Sequence, residues 1–545
     1  MCDRYGSHVL RSLLCICKGL PLDSSEEHHV TKSFTVLAER FNIKAPQFDG
    51  SNPPQLQHDF PDLLKFLVTE MLKYVKQDIV SVLFDQYSSL VLQTCLKLLA
   101  GEDQELMHII YILLGFHDEN NEEGNFLETI PVQDILSSLE DNAFSHLMEV
   151  ILQVAPETLY DKILTKVFKN SLFKIASHHC GSFVVQALVS SVRCQGQMDL
   201  IWEELGGKFK ELLEVGRSGV IASILVATQR LQTHGHKCCQ VLAAAVCSTS
   251  DIPICIIPRL LFLDNYLWCE DKLNWKWAAG DKMHVLGCLM LQTVFKYPSE
   301  CFQSYITSIT SVEDDHVLQI TKDARGGRVI EAFLSSDVSA KHKRKLIVKL
   351  KGHFGELSML PSGSFTVEKC FTASNAVLKE TIVSELLDIR SELSKTRQGP
   401  HLLRKLDVDG YAARPDQWRS RQASKKKIYK DFCAAFGSRK TTTSSSTTRK
   451  FVGELSSHSS QPKSVKEMRD EIGKYLMPSS LGTNFPGIEH SMAKLGFSGF
   501  KHRREGVVEE SNNKKFKHSM CNDATLKRRS DEDEIGKPSR KKHKM

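Results

Sequence analysis

Seven short segments pair a small residue with a polar residue four positions later, and two further segments keep half of such a pair. Residues four apart share one face of an α-helix, so both side chains can contact the same ligand. The seven pairs are Ser7/Arg11, Ser89/Gln93, Ser145/Glu149, Ser182/Gln186, Cys288/Gln292, Gly327/Glu331 and Ser364/Glu368. Ser218/Ala222 lacks the second polar residue, and Pro400/Arg404 lacks the small polar one. We call each segment a cassette.

The residue after the first member of each pair is often flat or cationic. These second-position residues are His8, Leu90, His146, Phe183, Leu289, Arg328, Phe365 and His401. Amides and carboxylates bind the edges of nucleobases, while aromatic rings and guanidinium planes stack on their faces. One such pair is common on any exposed helix, but phased recurrence predicts a row of polar pairs displayed to successive bases. Leu90 and Leu289 lack a flat group and predict weak stacking.

The cassettes recur at a nearly constant interval. Their first residues are at positions 7, 89, 145, 182, 218, 288, 327, 364 and 400, and five of the eight intervals are 36 to 39 residues. With the amphipathic segments between them, they predict two helices per repeat and an all-α solenoid over residues 1–420. A degenerate repeat or an insertion would occupy 218–288, a hidden repeat would fit in 7–89, and the acidic stretch 118–124 predicts a surface loop.

Charge divides the chain unevenly. Residues 421–545 carry a net charge of +14, whereas residues 1–420 carry −8. The C-terminal part is also poor in aliphatic residues and contains a Ser/Thr run at 441–448, so we predict a largely disordered basic tail with a short helix near 465–476. Its basic clusters, such as 540–544, are suited to nuclear targeting and salt-sensitive RNA contact.

Other classes of function have little support in the sequence. We find no glycine-rich phosphate loop and no nucleophile elbow, and we predict neither an enzyme nor a cofactor. His234, His236, Cys238 and Cys239 form one compact group of potential metal ligands, but no second ligand pair follows it, so no metal is predicted. The apolar run 13–22 contains Lys18 and is too short to span a bilayer. The sixteen cysteines lack paired spacing, which favours a reducing compartment.

The cassettes resemble the repeats of the Pumilio (PUF) family of RNA-binding proteins. The shared pattern is Gly-(Ser/Asn/Cys)-x-Val-(Val/Leu)-(Gln/Glu) at about 36 residues, as in Gly181–Gln186, and the resemblance covers about residues 1–420. The insertions, acidic body and basic tail resemble the nucleolar branch of that family. The resemblance implies a right-handed α-solenoid whose inner helices bind single-stranded RNA at about one base per repeat. It further implies a monomeric, non-catalytic nucleolar factor in rRNA processing that binds pre-ribosomal RNA and pre-ribosomal proteins.

The same resemblance implies a base order, with the RNA strand antiparallel to the protein. Family pairings assign guanine to Ser364/Glu368 and Gly327/Glu331, and adenine to Cys288/Gln292. They assign adenine to Ser182/Gln186 and Ser89/Gln93, guanine to Ser145/Glu149 and cytosine to Ser7/Arg11. The implied target begins 5′-GGA, continues through an unassigned stretch and contains G-A and C further 3′. Gly327 departs from the family pattern because it lacks the usual hydroxyl.

The first cassette departs from a complete repeat. Val9 and Leu13 belong to its core-facing side, but no earlier helix is available in the sequence to cover them, and we expect a truncated or alternatively started form. The acidic body favours an alternative interpretation, a protein-binding scaffold of HEAT or armadillo repeats with a nonspecific basic RNA-binding tail. Those repeats are usually longer and do not require a row of polar pairs.

Overall fold

A computed structural model describes residues 1–20, 60–75, 78–114, 132–247, 253–278 and 280–436. Contacts divide the chain into two units, Met1–Thr442 and Thr443–Met545, and every described residue belongs to the first. The described residues form α-helices with short 3₁₀ and π turns, and none of them lies in a β-strand. No described helix is long and apolar enough to cross a bilayer. The all-α prediction is confirmed, whereas the stretch 118–124 lies outside the described residues.

In chain order the helices are α1 (Arg4–Cys17), α2 (Pro61–Val75), α3 (Ile79–Phe84), α4 (Gln86–Leu98), α5 (Asp103–Leu113), α6 (Val132–Ser138), α7 (Asn142–Val154), α8 (Glu157–Ile163), α9 (Leu172–Ser177), α10 (Gly181–Ser190), α11 (Gln195–Leu205), α12 (Phe209–Glu214), α13 (Ser218–Leu231), α14 (Gly235–Val246), α15 (Ile256–Leu261), α16 (Leu263–Leu267), α17 (Val285–Val294), α18 (Gln303–Ser311), α19 (Asp314–Lys322), α20 (Ala324–Ser335), α21 (Ala340–Val348), α22 (Phe354–Met359), α23 (Gly363–Ala373), α24 (Ala376–Asp388), α25 (Arg390–Leu393), α26 (Gly399–Leu406), α27 (Val408–Ala413) and α28 (Pro415–Phe436).

Nine of these helices carry a cassette near their N-terminus, and we call them cassette helices: α1, α4, α7, α10, α13, α17, α20, α23 and α26. Each packs against the next cassette helix along the chain, from α1 on α4 to α23 on α26. Since α1 lies directly on α4 and α13 directly on α17, no described helix from either long interval lies between these cassette helices. The interval 218–288 therefore holds an insertion, and the described residues of 7–89 contain no cassette helix of the hidden repeat expected there.

Most repeats contain three helices, although the sequence predicted two. A short helix such as α9 precedes the cassette helix, and a longer outer helix such as α11 follows it. The short helices of six or seven residues span fewer than two turns, which is too little for hydrophobic periodicity to reveal. The row of cassette helices, each with its own flanking helices, is an α-solenoid.

The residue just before the first position of a cassette is small where the short helix and the cassette helix approach most closely. A Cβ on Gly181, Gly326, Gly363 or Gly399 would lie 2.6, 2.3, 1.9 or 1.7 Å from the carbonyl oxygen of the residue six positions earlier. In α4 the equivalent Ser88 instead donates a hydrogen bond from Oγ to the Val82 carbonyl at 2.7 Å. A small residue therefore precedes the first cassette position for a packing reason that is independent of any ligand.

The insertion of residues 262–283 lies between α15 and α17. The His284 amide donates to the Leu261 carbonyl at 2.7 Å, which closes the base of the insertion. Trp277 packs against Phe262 of the insertion and against His316 of α19, with ring centroids 4.8 and 4.4 Å away, while Trp268 is 87% exposed. Hydrophobic periodicity did not identify this element because its helix, α16, has only five residues.

Side chains just before the cassettes initiate the cassette helices. Asp3, Asp85, Asp141, His284 and Asp323 each accept a hydrogen bond from a backbone amide in the first turn. Such caps replace partners that first-turn amides lack within the helix. At His284 the acceptor is Nδ1, 2.8 Å from the Gly287 nitrogen, and burial lowers the pKa of His284, which favours the neutral ring that this bond requires.

The core of the solenoid uses the third and seventh positions of each cassette. In the eight later cassette helices these side chains are at most 2% exposed, for example Val184 and Leu188 in α10 and Val329 and Phe333 in α20. In α1 the equivalent Val9 and Leu13 are 59% and 46% exposed. Among the described residues, no helix covers this face of α1.

We expect the amides of α1 to exchange hydrogen with solvent at least about tenfold faster than those of α23. Leaving aliphatic side chains such as Val9 and Leu13 in water forgoes about 1.5–3 kcal/mol for each one, so α1 opens at a lower free-energy cost. Native-state hydrogen exchange followed by mass spectrometry measures this difference, with α10, covered on both sides, as the reference. Protection in α1 equal to that around Ser364 would contradict the expectation.

The described chain continues as a helix beyond residue 420, where the sequence predicted the end of the solenoid. The helix α28 runs without interruption from Pro415 to Phe436, and its Trp418 is buried and donates from Nε1 to the Leu406 carbonyl at 3.3 Å. Residues 421–436 are therefore helical rather than disordered, and the division between solenoid and tail stays a prediction. They include four lysines and three alanines, residues that favour helices even where charge suggests disorder. The remainder of the predicted tail, including the helix near 465–476, lies outside the described residues.

Candidate nucleic-acid interface

The first residues of the cassette pairs are more deeply buried than the sequence predicts. Ser7, Ser89, Ser145, Ser182, Ser218, Cys288 and Ser364 are all at most 5% exposed, because neighbouring cassette helices approach closely at these small residues. Three of these hydroxyls donate to the carbonyl three residues earlier: Ser7, Ser145 and Ser182, at 2.9, 2.9 and 2.8 Å. Ser89 donates to the Ala143 carbonyl of the next cassette helix at 2.9 Å. A ligand that uses these hydroxyls competes with backbone acceptors.

Several fifth-position side chains reach across to the following cassette helix. The amide of Gln186 lies against Gly219, where an added Cβ would come within 2.8 Å of Oε1. Glu368 forms an ion pair with Lys405 of the next cassette helix, with Nζ and Oε1 2.7 Å apart. Other members of this class bond within their own helix: Gln93 donates to Ser89 Oγ at 3.1 Å, and Gln292 donates to the Cys288 carbonyl at 3.1 Å. The polar pairs thus lie along the contacts between consecutive repeats.

Three cassette side chains bury a polar atom that has no hydrogen-bond partner within the described part of the chain. These atoms are Arg11 Nε, Gln186 Oε1 and Ser364 Oγ. A buried polar atom without a partner is costly, by about 1–3 kcal/mol, and is therefore rare in folded proteins. Their concentration at cassette positions indicates a surface that is completed by a polar ligand.

The second-position side chains are the most accessible members of the cassettes. Phe365 is 46% exposed, Arg328 and His401 are exposed, and His8, Leu90, His146, Phe183 and Leu289 are half-buried. The ring of His146 contacts Glu149, with Nδ1 and Oε1 3.1 Å apart, so the stacking and hydrogen-bonding groups of that cassette are coupled. This arrangement places flat groups at the surface above more deeply set hydrogen-bonding groups, which is suited to single-stranded nucleic acid.

The incomplete cassettes differ from one another in the structure. In α13, Ser218, Gly219 and Ala222 are buried, so this helix offers neither a stacking group nor a polar group at the fifth position. In α26, Pro400, His401 and Arg404 are all exposed, and the helix presents a cation and an imidazole without a neighbouring hydroxyl. The helix α17, by contrast, carries the complete pair Cys288/Gln292. Burial raises the pKa of the Cys288 thiol to about 12, so that the thiol remains a neutral, weak hydrogen-bond donor.

Glu331 is one of two buried carboxylates that we assigned to guanine, the other being Glu149. Glu331 is 9% exposed, and burial raises the pKa of its carboxyl group, while the hydrogen bond from Thr366 and the charge of Arg328 act in the opposite direction. Thr366 Oγ1 donates to Glu331 Oε1 at 2.9 Å. Arg328 Nη1 lies 3.8 Å from Glu331 Oε2.

Sequence reasoning missed Thr366 and Lys405 as neighbours of the predicted carboxylates. Both belong to the repeat that follows, 35 or more positions further along the chain, so cassette spacing carries no information about these contacts. One signal was available for Thr366. It occupies the third cassette position, where the other described cassette helices carry aliphatic residues or methionine.

The histidines and cysteines at 234–239 do not converge on a common point. His234 contacts Asp199, with Nε2 and Oδ1 2.6 Å apart, and stacks on Trp202, whereas Cys238 and Cys239 are buried in the core. Across the residues that the structure describes, no group of three or more His, Cys, Asp or Glu side chains could hold a metal ion.

A model of the NOP9-like PUF repeat domain matches residues 1–400 of the chain. Pumilio homolog 23 of Arabidopsis thaliana is 53% identical over 473 residues, which are 87% of this chain and 62% of that protein. Nucleolar protein 9 of Mus musculus is 23% identical over 441 residues, 77% of this chain and 66% of that protein. The chain thus spans less than two thirds of the length of these relatives.

Solved structures of APUM23 are also similar to this chain in three-dimensional fold. The structure of APUM23 with GGAAUUGACGG superimposes with a TM-score of 0.71 and 53% identity, covering 78% of this chain and 76% of that one. APUM23 with GGAUUUGACGG gives a TM-score of 0.70 and 54% identity, with the same coverage. These similarities confirm the solenoid of Pumilio-type repeats and exclude the alternative fold of HEAT or armadillo repeats.

Proposed function

Because this chain belongs to the family of NOP9-like PUF repeat proteins, we propose that it binds single-stranded RNA in a sequence-selective manner. The single observation that carries the proposal is the continuous row of cassette helices, in which Arg11, Gln186 and Ser364 bury polar atoms that lack partners within the described residues. Nucleobase edges supply the donors and acceptors that such atoms need. The chain acts by binding rather than by catalysis, with no enzymatic step.

The base order predicted from the cassettes resembles the strands in the APUM23 structures. Those strands begin with GGA and contain GAC further 3′. In this chain GGA corresponds to α23, α20 and α17, and GAC to α7, α4 and α1. The fourth nucleotide is A, G or U in different structures, which is consistent with α13, where Ala222 replaces the polar residue. The adenine assigned to Ser182/Gln186 does not match those strands, because the two nucleotides before GAC are both U.

The same relatives support a proposal about the cellular role. We propose that the RNA target is pre-ribosomal RNA, and that the chain works in the nucleus and nucleolus as a factor in rRNA processing and ribosome production. The names of the relatives called Nucleolar protein 9 support this placement. The basic clusters of residues 421–545 support nuclear targeting and an added electrostatic contribution to RNA binding.

Affinity measurements at two salt concentrations test the proposal with the full-length chain. We expect GGAAUUGACGG to bind at least about 100-fold more tightly than a scrambled strand of equal composition, since each good base-edge contact contributes about 1–3 kcal/mol. This ratio should persist at the higher salt concentration, because base contacts depend on salt less than phosphate contacts do. Equal, steeply salt-dependent affinities for both strands would indicate nonspecific electrostatic binding and would contradict the proposal.

A further inference from the structure

The cassette of α20 lacks the side chain that the other complete cassettes use beside their polar partner. Gly327 stands where they carry serine or cysteine, so this repeat contributes no hydroxyl or thiol of its own. The space beside Gly327 is not empty, however. Thr366 Oγ1 lies 3.4 Å from the position of a Cβ on Gly327, and it comes from α23, the next cassette helix.

The Thr366 hydroxyl is directed toward the polar partner in the same cassette. Oγ1 donates a hydrogen bond to Glu331 Oε1 at 2.9 Å, and the Thr366 side chain is only 1% exposed. This bond is unusual for a threonine of the solenoid. Threonines elsewhere in these helices donate to the carbonyl four residues earlier, as Thr94, Thr293 and Thr321 do. The hydroxyl of Thr366 is instead used across the contact between two repeats.

The geometry around Glu331 leaves part of its carboxylate available to a ligand. Oε1 accepts from Thr366, while Oε2 has the guanidinium of Arg328 at 3.8 Å, which is beyond a direct hydrogen bond. The Watson–Crick edge of guanine presents two neighbouring N–H donors, which a carboxylate can accept together. Adenine presents an acceptor in place of one of them. The orientation of the Glu331 carboxylate therefore decides how well this cassette distinguishes the two bases.

We propose that Thr366 is a positioning residue for guanine recognition by the cassette of α20. It supplies, from the following repeat, the hydroxyl that Gly327 lacks, and it orients Glu331 toward the second nucleotide of the 5′-GGA target. The inference rests on the proposed RNA-binding function. Its consequence is that base preference at this nucleotide depends on two repeats, so that the pair Gly327/Glu331 alone does not specify it.

The test uses Thr366→Val, which removes the hydroxyl at nearly constant volume, and Thr366→Ser, which retains it. Affinities are measured for GGAAUUGACGG and for strands with adenine at the second or at the first nucleotide. In Thr366→Val we expect the preference for guanine over adenine at the second nucleotide to fall about tenfold, the effect of losing a hydrogen bond to a charged group. The preference at the first nucleotide, assigned to Ser364/Glu368, should be unchanged, and Thr366→Ser should keep both preferences.

A merely structural role of Thr366 gives a different result. It would lower the thermal stability and the affinity for all three strands together, leaving their ratios unchanged, and that outcome overturns the inference. Glu331→Gln provides an independent measurement, because Thr366→Val should have no further effect on the second-nucleotide preference in that background. A persistent tenfold effect there would also overturn it. If the wild-type chain does not distinguish GGAAUUGACGG from a scrambled strand, the proposed function fails together with this inference.

Discussion

The Glu368→Gln variant is expected to lose about 1–3 kcal/mol of its preference for guanine over adenine at the first nucleotide of the target, about 5- to 150-fold in relative affinity. A carboxylate can accept both N–H groups on the guanine edge. A carboxamide accepts only one of them and places its own N–H donor against the other. The same amide suits adenine, which offers one donor and one acceptor. The change is measured by comparing the affinities for strands that differ only at the first nucleotide, each determined by fluorescence anisotropy.

The matched control for Glu368→Gln is Lys405→Gln. In the structure Lys405 Nζ lies 2.7 Å from Glu368 Oε1, so either substitution breaks the same ion pair. The Lys405 side chain is half exposed, and such pairs contribute little to stability. We expect Lys405→Gln to change the affinities for both strands alike and to preserve their ratio. If Glu368→Gln leaves the ratio unchanged, or if both variants reduce it equally, the guanine assignment of Glu368 is wrong.

The Gly363→Ala variant is expected to lower the stability of the solenoid by about 2–3 kcal/mol, near the upper end of the cost of overpacking. An added Cβ would lie 1.9 Å from the Leu357 carbonyl oxygen and 2.8 Å from its carbon. These are backbone atoms of α22, so relief requires the short helix to move away from α23. Chemical unfolding monitored by circular dichroism should show the transition at a lower denaturant concentration.

Gly196→Ala is the control for Gly363→Ala. Gly196 also lies in a helix, α11, but a Cβ there would meet no atom within 4 Å. Alanine is the better helix former by about 1 kcal/mol, so this variant should be neutral or slightly more stable. Equal shifts in the two variants would show that loss of glycine itself, rather than the contact with Leu357, is responsible. An unchanged transition in Gly363→Ala would contradict the packing explanation directly.

The fold was largely predictable because the cassette encodes packing as well as chemistry. A side chain at position 363 would meet a backbone carbonyl, and the third and seventh cassette positions fill the core. Each repeat therefore requires particular residue types at the same positions. The prediction of two helices per repeat was wrong because short helices such as α22 have too few residues to show periodicity. The boundary at 420 stays a prediction, but the helix that continues to Phe436 was not predicted, because composition does not distinguish a lysine-rich helix from a lysine-rich tail.

The sequence by itself determined the positions of the cassettes, the class of fold and the pairing of first and fifth residues, since all of these depend on residues within a few positions of one another. Only the tertiary structure decided what surrounds each pair. The burial of Ser364, the approach of Gly219 to Gln186 and the hydrogen bond from Thr366 to Glu331 all arise where consecutive cassette helices pack together. Their partners are a full repeat apart in the chain, and no local spacing rule connects them. The distance and tilt between neighbouring helices therefore determine which donor faces which acceptor.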